Sequence, residues 1–280
     1  MTPDAGGRTG QADDLDIDIL FEAVFRKYSY DFRHYARASL RRRVEAAVSA
    51  LHLDSIAHLQ HVVLRDQAAF TRLLSQITIP VSEMFRDPFY FRSLRDRALP
   101  ILATYPSLKV WVAGCSTGEE VYSLAILLDE AGLLERALIY ATDINPESLR
   151  AAQQGVYALD RVAGFTRSYQ EAGGARSLSE YYTAAYSAVA FDRRLSSRIV
   201  FSDHDLATDT AFAEVQLISC RNVLIYFDRV LQDRAVGLFD ESLASRGFLG
   251  LGSRESLHMS ASAAAFEPVD ASAKLYRKRR

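Results

Sequence analysis

Residues 109–120, KVWVAGCSTGEE, decide the fold. Val110, Trp111, Val112 and Ala113 form a short apolar run of β-branched and aromatic character, which reads as a buried strand. Gly114-Cys115-Ser116-Thr117-Gly118 follows as a tight turn of small residues, and 119–128 (EEVYSLAILL) has helical length and a broad apolar face. A strand, a glycine turn and a helix in that order put the turn at the carboxyl edge of a sheet, where open α/β proteins bind ligands. Gly114 and Gly118 would let the backbone approach such a ligand closely. An ordinary βα loop shares these features, so the next unit must decide.

Leu138 to Thr142 reads as a second strand, ending at Asp143. Asn145 can cap a helix with Pro146 at its first position, and Gly155 stops that helix after about Gln153. An acid at the tip of the second strand, following a glycine turn, accepts ribose hydroxyls in nucleotide-binding α/β folds. Ser116 stands where the GxGxxG pattern has its second glycine, the one that admits a pyrophosphate. A nucleoside without phosphates fits this turn better than NAD, and S-adenosylmethionine (SAM) is such a ligand. An NAD-dependent oxidoreductase is correspondingly disfavoured.

Working outward, a chain of 280 residues allows one large or two modest domains. With 49% apolar residues and a formal charge of −2, it reads as globular and does not announce nucleic acid. No apolar run approaches membrane-spanning length and no signal peptide precedes the first helix, so neither membrane insertion nor export is expected. Two cysteines, Cys115 and Cys220, make no disulfide framework, and a cytoplasmic location is the default. No His/Cys/acid spacing suggests a metal.

Residues 1–14 are polar and small, and are expected to form a disordered tail. Residues 15–80 read as a small helical domain. Leu20, Phe21, Val24, Phe25 and Tyr28 share one helical face; a second helix covers about 32–51; Asp54 or Ser55 caps a third and Asp66 a fourth. In the second helix Arg33, Arg37 and Arg41 recur every four residues and are expected to stack on one face, widened by Arg42 and Arg43. A solvated face, a nucleic-acid contact without a known motif, and a dock for an acidic protein helix all fit this patch.

Residues 81–106 read as a linker and linker helix, with Asp87-Pro88 as cap and first turn of a helix to about Ala98. Arg86, just before that helix, could bind a carboxylate bidentately or pair with a surface acid. Residues 107–280 form the α/β domain. Arg198 to Asp205 reads as a strand ending in acids, with Asp205 and Leu206 placed to read an adenine edge and pack on its ring. Val215 to Ser219 is a further buried strand leading to Cys220-Arg221-Asn222, and Asp228 opens a helix to about Leu243. Residues 247–253 read as the last parallel strand, and 274–279 as a closing edge strand.

SEMFRDPFYF (82–91), WVAGCSTGEEVYSLAI (111–126), ATDINPESLRAAQQGVY (141–157), ISCRNVLIYFD (218–228) and GFLGLGSRESL (247–257) occur here in the order found in the CheR chemotaxis-receptor methyltransferases. The chain resembles that family from about Leu20 to its end. The resemblance implies an all-α N-terminal domain on a doubly wound Rossmann-like SAM domain, with a small β-subdomain inserted at about 176–197. It implies a SAM-dependent protein-glutamate O-methyltransferase, releasing S-adenosylhomocysteine (SAH) and acting as a monomer on the cytoplasmic helical domain of chemoreceptors. SAM contacts are implied at Ser82, Arg86, Glu120, Asp143, Asp205, Leu206, Cys220 and Arg221. Arg86 and Tyr226 are implied to flank the methyl group and the incoming glutamate, and the basic helix (Arg33, Arg37, Arg41, Arg42) to contact the receptor's methylation helices. A SAM-binding scaffold without turnover is the alternative.

Glutamate, with an ordinary pKa near 4.3, is already nucleophilic at neutral pH, so no general base is required. Two departures from the family stand out. Members that capture a receptor's C-terminal pentapeptide carry a glycine-rich loop in the β-subdomain, whereas 181–195 (YYTAAYSAVAFDRRL) has no glycine; pentapeptide tethering is therefore expected to be absent or weak. Pro80 replaces a polar residue near SAM. Finally, Cys115 and Cys220 follow strands that are neighbours in a doubly wound sheet. They could form a redox-sensitive pair or simply two small buried residues.

Overall fold

The computed structural model describes residues 6–78, 81–257 and 260–280. They divide into two compact units: residues up to 79 joined by Tyr226–Gln232, and Pro80–Ile225 with Asp233–Arg280. Residues 1–5 of the expected tail, and the Pro80 departure, lie outside the described residues. The remainder of that tail is not irregular, because the first helix already begins at Gly6.

The first unit holds α1 (Gly6–Tyr28), α2 (Arg37–Ala50), α3 (Ile56–Val63) and α4 (Gln67–Ile77). Ile17, Leu20, Phe21 and Val24 of α1 are buried with Leu40 and Val44 of α2, Leu59 and Val63 of α3, and Phe70, Leu73 and Leu74 of α4. These positions repeat at three and four residues, so each helix turns one apolar stripe inward. Ser55 accepts the His58 N–H at 3.1 Å and Asp66 that of Ala68 at 2.8 Å, closing the starts of α3 and α4.

The second helix starts five residues later than its pattern suggests. Asp31 accepts the Arg33 backbone N–H at 3.1 Å and Arg33 Nε at 2.9 Å, a side-chain turn that competes with helix at this point. Arg33 consequently lies outside α2 and does not share a helical stack with Arg37 and Arg41. Tyr226–Gln232 completes this unit: the Ala36 N–H donates to the Tyr226 carbonyl and the Asp228 N–H to the His34 carbonyl, both at 2.8 Å. The Tyr35 and Phe227 rings meet edge to face at 5.0 Å.

The second unit opens with α5 (Pro88–Ser93), a π-helical turn at Leu94–Ala98, and α6 (Leu99–Leu102). The helix thus passes Ala98, its expected end. Pro100 has no N–H to give, and the Leu99 N–H shifts to the Leu94 carbonyl, which re-registers the helix in front of the proline. Then follow β1 (Leu108–Ala113), α7 (Glu119–Glu130), β2 (Ala137–Asp143), α8 (Pro146–Gln154), β3 (Val156–Ala158), α9 (Val162–Glu171), β4 (Tyr182–Ala185), β5 (Ala188–Phe191), α10 (Arg193–Ser196), β6 (Ile199–Asp203), β7 (Val215–Cys220), α11 (Arg229–Ser242), β8 (Leu243–Leu251), β9 (Phe266–Asp270) and β10 (Leu275–Lys278).

Seven strands form one sheet in the order β6-β2-β1-β7-β8-β10-β9. The five from β6 to β8 are parallel, with Val112 level with Ala141 on one side and Ser219 on the other. From β1 the chain winds outward through β2 to β6 and then crosses back to β7, so the switch point of this doubly wound sheet lies between β1 and β7. Strand β10 is antiparallel and lies between β8 and β9, so 274–279 does not close the sheet. The edge is β9, where Pro268 tolerates the outer position because it has no N–H to pair. A separate antiparallel sheet has the order β3-β5-β4. It recruits residues 156–158, well before the expected start of the insertion near 176. Among the described residues no helix is long and apolar enough to cross a membrane.

Candidate functional site

The carboxyl ends of β1, β2, β6, β7 and β8 gather most of the candidate residues. The turn after β1 depends on three left-handed residues, Gly114, Ser116 and Gly118, at φ 73°, 50° and 93°. A Cβ on Gly118 would lie 2.8 Å from that of Ala152, so α7 and α8 approach at that point only because glycine is there. The Gly114 and Cys115 N–H groups both donate to the Thr142 carbonyl at 2.8 Å, which fastens the turn to the end of β2.

Asp143 ends β2 in a socket of backbone donors. Its Oδ2 accepts the Ser116 N–H at 2.8 Å and its Oδ1 the Asn145 N–H at 2.9 Å. Burial raises the carboxyl above its ordinary value, against the pull of the Asn145, Ser116 and Ile144 amides. Asn145 also caps α8 through the Glu147 and Ser148 N–H groups, and Gly155 ends it in the left-handed region at φ 62°. After the neighbouring β6, Asp205 and Leu206 begin a turn in which the Ala207 N–H donates to Asp205 at 2.8 Å, with Leu206 buried. The His204 N–H reaches the Asp143 carbonyl at 3.4 Å, linking the two loops.

On the other side of β1, Arg221 follows β7 and holds a buried network. Its guanidinium donates to Glu120 at 3.0 Å, to Asp87 at 2.8 Å and to the Arg86 carbonyl at 2.8 Å, and lies 4.3 Å from the Tyr90 ring. Ser219 Oγ donates to Glu120 at 2.6 Å and pairs with the Tyr90 hydroxyl at 2.8 Å. Asp87 occupies the expected N-cap position of α5, with its carbonyl accepting the Tyr90 N–H at 2.8 Å, but its side chain pairs with Arg221 and makes no capping hydrogen bond. Arg86 sits between Phe85 and Asp87, both left-handed at φ 51° and 55°. Such residues cost about 1–3 kcal/mol each and persist only where the surroundings impose them. With Glu120 and Asp87 taken by Arg221, the Arg86 side chain has no hydrogen bond or ion pair among the described residues.

Ser82 joins no other candidate directly. Its carbonyl accepts Arg161 at 2.5 Å, and Arg161 also pairs with the buried Glu119 at 2.6 Å. Glu255, which has no charge partner among the described residues, accepts the Gly252 N–H at 2.5 Å, Asn222 N–H at 3.0 Å and Ile225 N–H at 3.3 Å. Asp87, Tyr90, Arg161, Ser219 and Glu255 were not singled out as site residues by sequence pattern. All of them but Arg161 lie inside the quoted family segments, which mark the stretch without assigning these residues a role.

The remaining candidates belong to the helical unit. Tyr226 lies under the guanidinium of buried Arg43 at 4.4 Å. Arg33 bonds Asp31 at 2.8 Å and Glu22 at 3.0 Å, Arg37 bonds Asp18 at 2.5 Å, and Arg41 bonds Asp14 at 2.5 Å. Much of the basic patch is therefore neutralised within its own unit; Arg42 is exposed and makes no ion pair among the described residues. Cys115 and Cys220 are free and buried. Burial holds both thiols well above their ordinary pKa, the opposite of what a reactive pair needs.

These residues fit SAM. Glu119 and Glu120, each paired with an arginine, occupy the first turn of α7, so the helix N-terminus carries its own acids where other α/β folds seat a pyrophosphate. Asp143 retains acceptor capacity toward hydroxyls, and Ser116 Oγ and Arg221 Nε are buried polar atoms without partners among the described residues. The sheet order, the switch-point turn and this donor set define a nucleoside-binding Rossmann-like domain. The sequence model of the CheR methyltransferase SAM-binding domain matches residues 80–274, and that of the CheR methyltransferase all-alpha domain matches 15–78. A methyltransferase named Cher3 of Pseudomonas putida is 54% identical over 265 residues, covering 95% of this chain and 97% of that protein. Chemotaxis protein methyltransferase 2 of Pseudomonas aeruginosa is 30% identical over 79% of this chain and 77% of its own. The chemotaxis protein methyltransferase of Listeria monocytogenes is 29% identical over 87% and 92%. The chain belongs to the CheR methyltransferase family and is a SAM-dependent methyltransferase.

Proposed function

We propose that this protein methylates glutamate side chains on the cytoplasmic helical domain of chemoreceptors, giving methyl esters and SAH. One observation carries the reading. Arg221 pairs with two carboxylates, Glu120 and Asp87, and leaves the Arg86 guanidinium without an acid among the described residues. A planar cation held in that state suits an incoming carboxylate, which it can orient bidentately. Relatives named chemotaxis protein methyltransferases support the substrate class.

When bound, SAM supplies a methyl group on a sulfonium centre, open to in-line displacement. Asp143, Asp205, Leu206, Glu120, Arg221, Cys220 and Ser82 are the residues we assign to holding it. Arg86 aligns the carboxylate, and Tyr226 contributes a hydroxyl donor. Alignment of reactants can account for about 7–11 kcal/mol of a barrier, and no proton need be removed from a glutamate already ionised at neutral pH. Arg42, with the other arginines of its helix, docks the acidic receptor helix. The β4–β5 hairpin turns through Tyr186-Ser187 without a glycine loop, which favours action without a pentapeptide tether.

The test is transfer of label from radioactive SAM to receptor-bearing host membranes, counted as base-labile methyl. Arg86→Ala and Tyr226→Phe are each expected to remove most of the label, while Arg86→Ala keeps the wild-type melting temperature, its side chain having no partner to lose among the described residues. SAH binding without any label in the wild type would replace this reading with that of a SAM-binding scaffold.

A further inference from the structure

Glu255 is 4% exposed and makes no salt bridge among the described residues, yet it receives at least three backbone amides from two different loops. Gly252 belongs to its own loop, after β8. Asn222 and Ile225 belong to the loop after β7, and the Leu224 amide adds a fourth favourable hydrogen bond. The carboxylate thus fills a nest of N–H groups made by a neighbouring segment of the same chain, a role usually filled by a bound anion.

Two features show that the neighbourhood is built around this contact. Asn222 turns the chain in the left-handed region at φ 61°, which asparagine tolerates better than other non-glycine residues, and this turn presents its N–H to Glu255. At Gly252, a Cβ would lie 2.7 Å from Glu255 Oε2 and 2.8 Å from the Asn222 nitrogen, so only glycine leaves room for the joint. Asn222 directly follows Arg221, whose guanidinium distributes its bonds over Glu120, Asp87 and the Arg86 carbonyl.

We infer that Glu255 is a positioning residue for the SAM crevice: by fixing the backbone at Asn222 it aims Arg221 at Glu120. This rests on the assignment of Arg221 to SAM binding made above. Both Glu255 oxygens accept backbone amides, so Glu255→Gln must turn an NH2 donor against one set of N–H groups in either orientation. The backbone at Asn222 would then shift, and Arg221 with it.

The experiment is SAH binding by calorimetry to wild type, Glu255→Gln, Arg221→Lys and the double variant. Misplacing a binding group by a fraction of an ångström is expected to weaken SAH about tenfold in Glu255→Gln. The loss should largely vanish in the Arg221→Lys background, because the residue it acts through is already altered. A simple structural role would lower the melting temperature and leave this non-additivity absent. Additive losses, or wild-type affinity in Glu255→Gln, overturn the inference while the SAM assignment stands. Wild-type affinity in Arg221→Lys overturns the assignment itself. If Glu255→Gln does not fold, Gly252→Ala takes its place in the same cycle, with the same outcomes read the same way.

Discussion

Arg221 Nη1 lies 3.0 Å from Glu120 Oε2, with side chains 1% and 12% exposed, at the junction of the β7 exit loop and the first turn of α7. A second carboxylate, Asp87, shares the guanidinium at 2.8 Å. Removing the cation leaves two acids in a poorly solvated place. Arg221→Met is expected to cost about 3–5 kcal/mol, as broken buried pairs do. Glu120→Gln should cost less, since it keeps an acceptor for Ser219 and Arg221. Urea unfolding of both variants checks the order; equal costs would contradict the picture of one cation serving two anions.

In the proposed docking patch, Arg42 is an exposed arginine without an ion pair among the described residues. Arg42→Glu is expected to raise the KM for receptor membranes and to weaken the salt dependence of methylation, with SAH affinity and melting temperature unchanged. Steady-state methylation across a salt series measures it. An unchanged KM would remove Arg42 from the docking surface.

Asp143 gives a pH signature of definite sign. Burial raises its carboxyl above the ordinary 3.8. A group raised on folding contributes stability that is complete below the unfolded value and lost as pH rises through the folded one. The difference in stability between Asp143→Asn and wild type should therefore shift in favour of the asparagine variant as pH rises from about 4, then level off above the folded pKa. Thermal melts of both proteins over that range report it, and a shift of opposite sign would contradict the buried assignment.

The cysteines should be silent. Neither Cys115 nor Cys220 is expected to react with a disulfide reagent in the native protein, whereas both should titrate after unfolding. Cys115→Ser should leave methylation under mild oxidant unchanged. Protection by that substitution would restore a redox role.

Local chemistry was readable in the sequence wherever neighbours along the chain determine the outcome. The β1 turn, the Asn145 cap, Pro146 and Gly155 all appear where their residue types demand, because each acts within about one helical turn. What escaped depends on distant partners. The Arg33 side chain reads as one more step of a helical stack until Asp31 diverts it. The place of β10 inside the sheet is decided by pairing with β8 and β9, which no local pattern records. Glu255 lies in a segment shared with the family, but its role has no local signature, because its partners are backbone amides, which every non-proline residue has. Arg221 was found only through resemblance, and its partition between Glu120 and Asp87 needed coordinates.

The strap Tyr226–Gln232 also bears on how this chain is made and inherited. His34 and Asp228, bonded at 2.9 Å, stand 194 residues apart in sequence. On the ribosome the four helices emerge first, but the last pieces of their unit arrive only after β1, β2, β6 and β7 have been synthesised. Closing so long a loop makes completion of the first-born unit a late event. A gene fragment ending after α4 would encode an unfinished body, so recombination cannot exchange the helical unit as a cassette without carrying most of the sheet along with it.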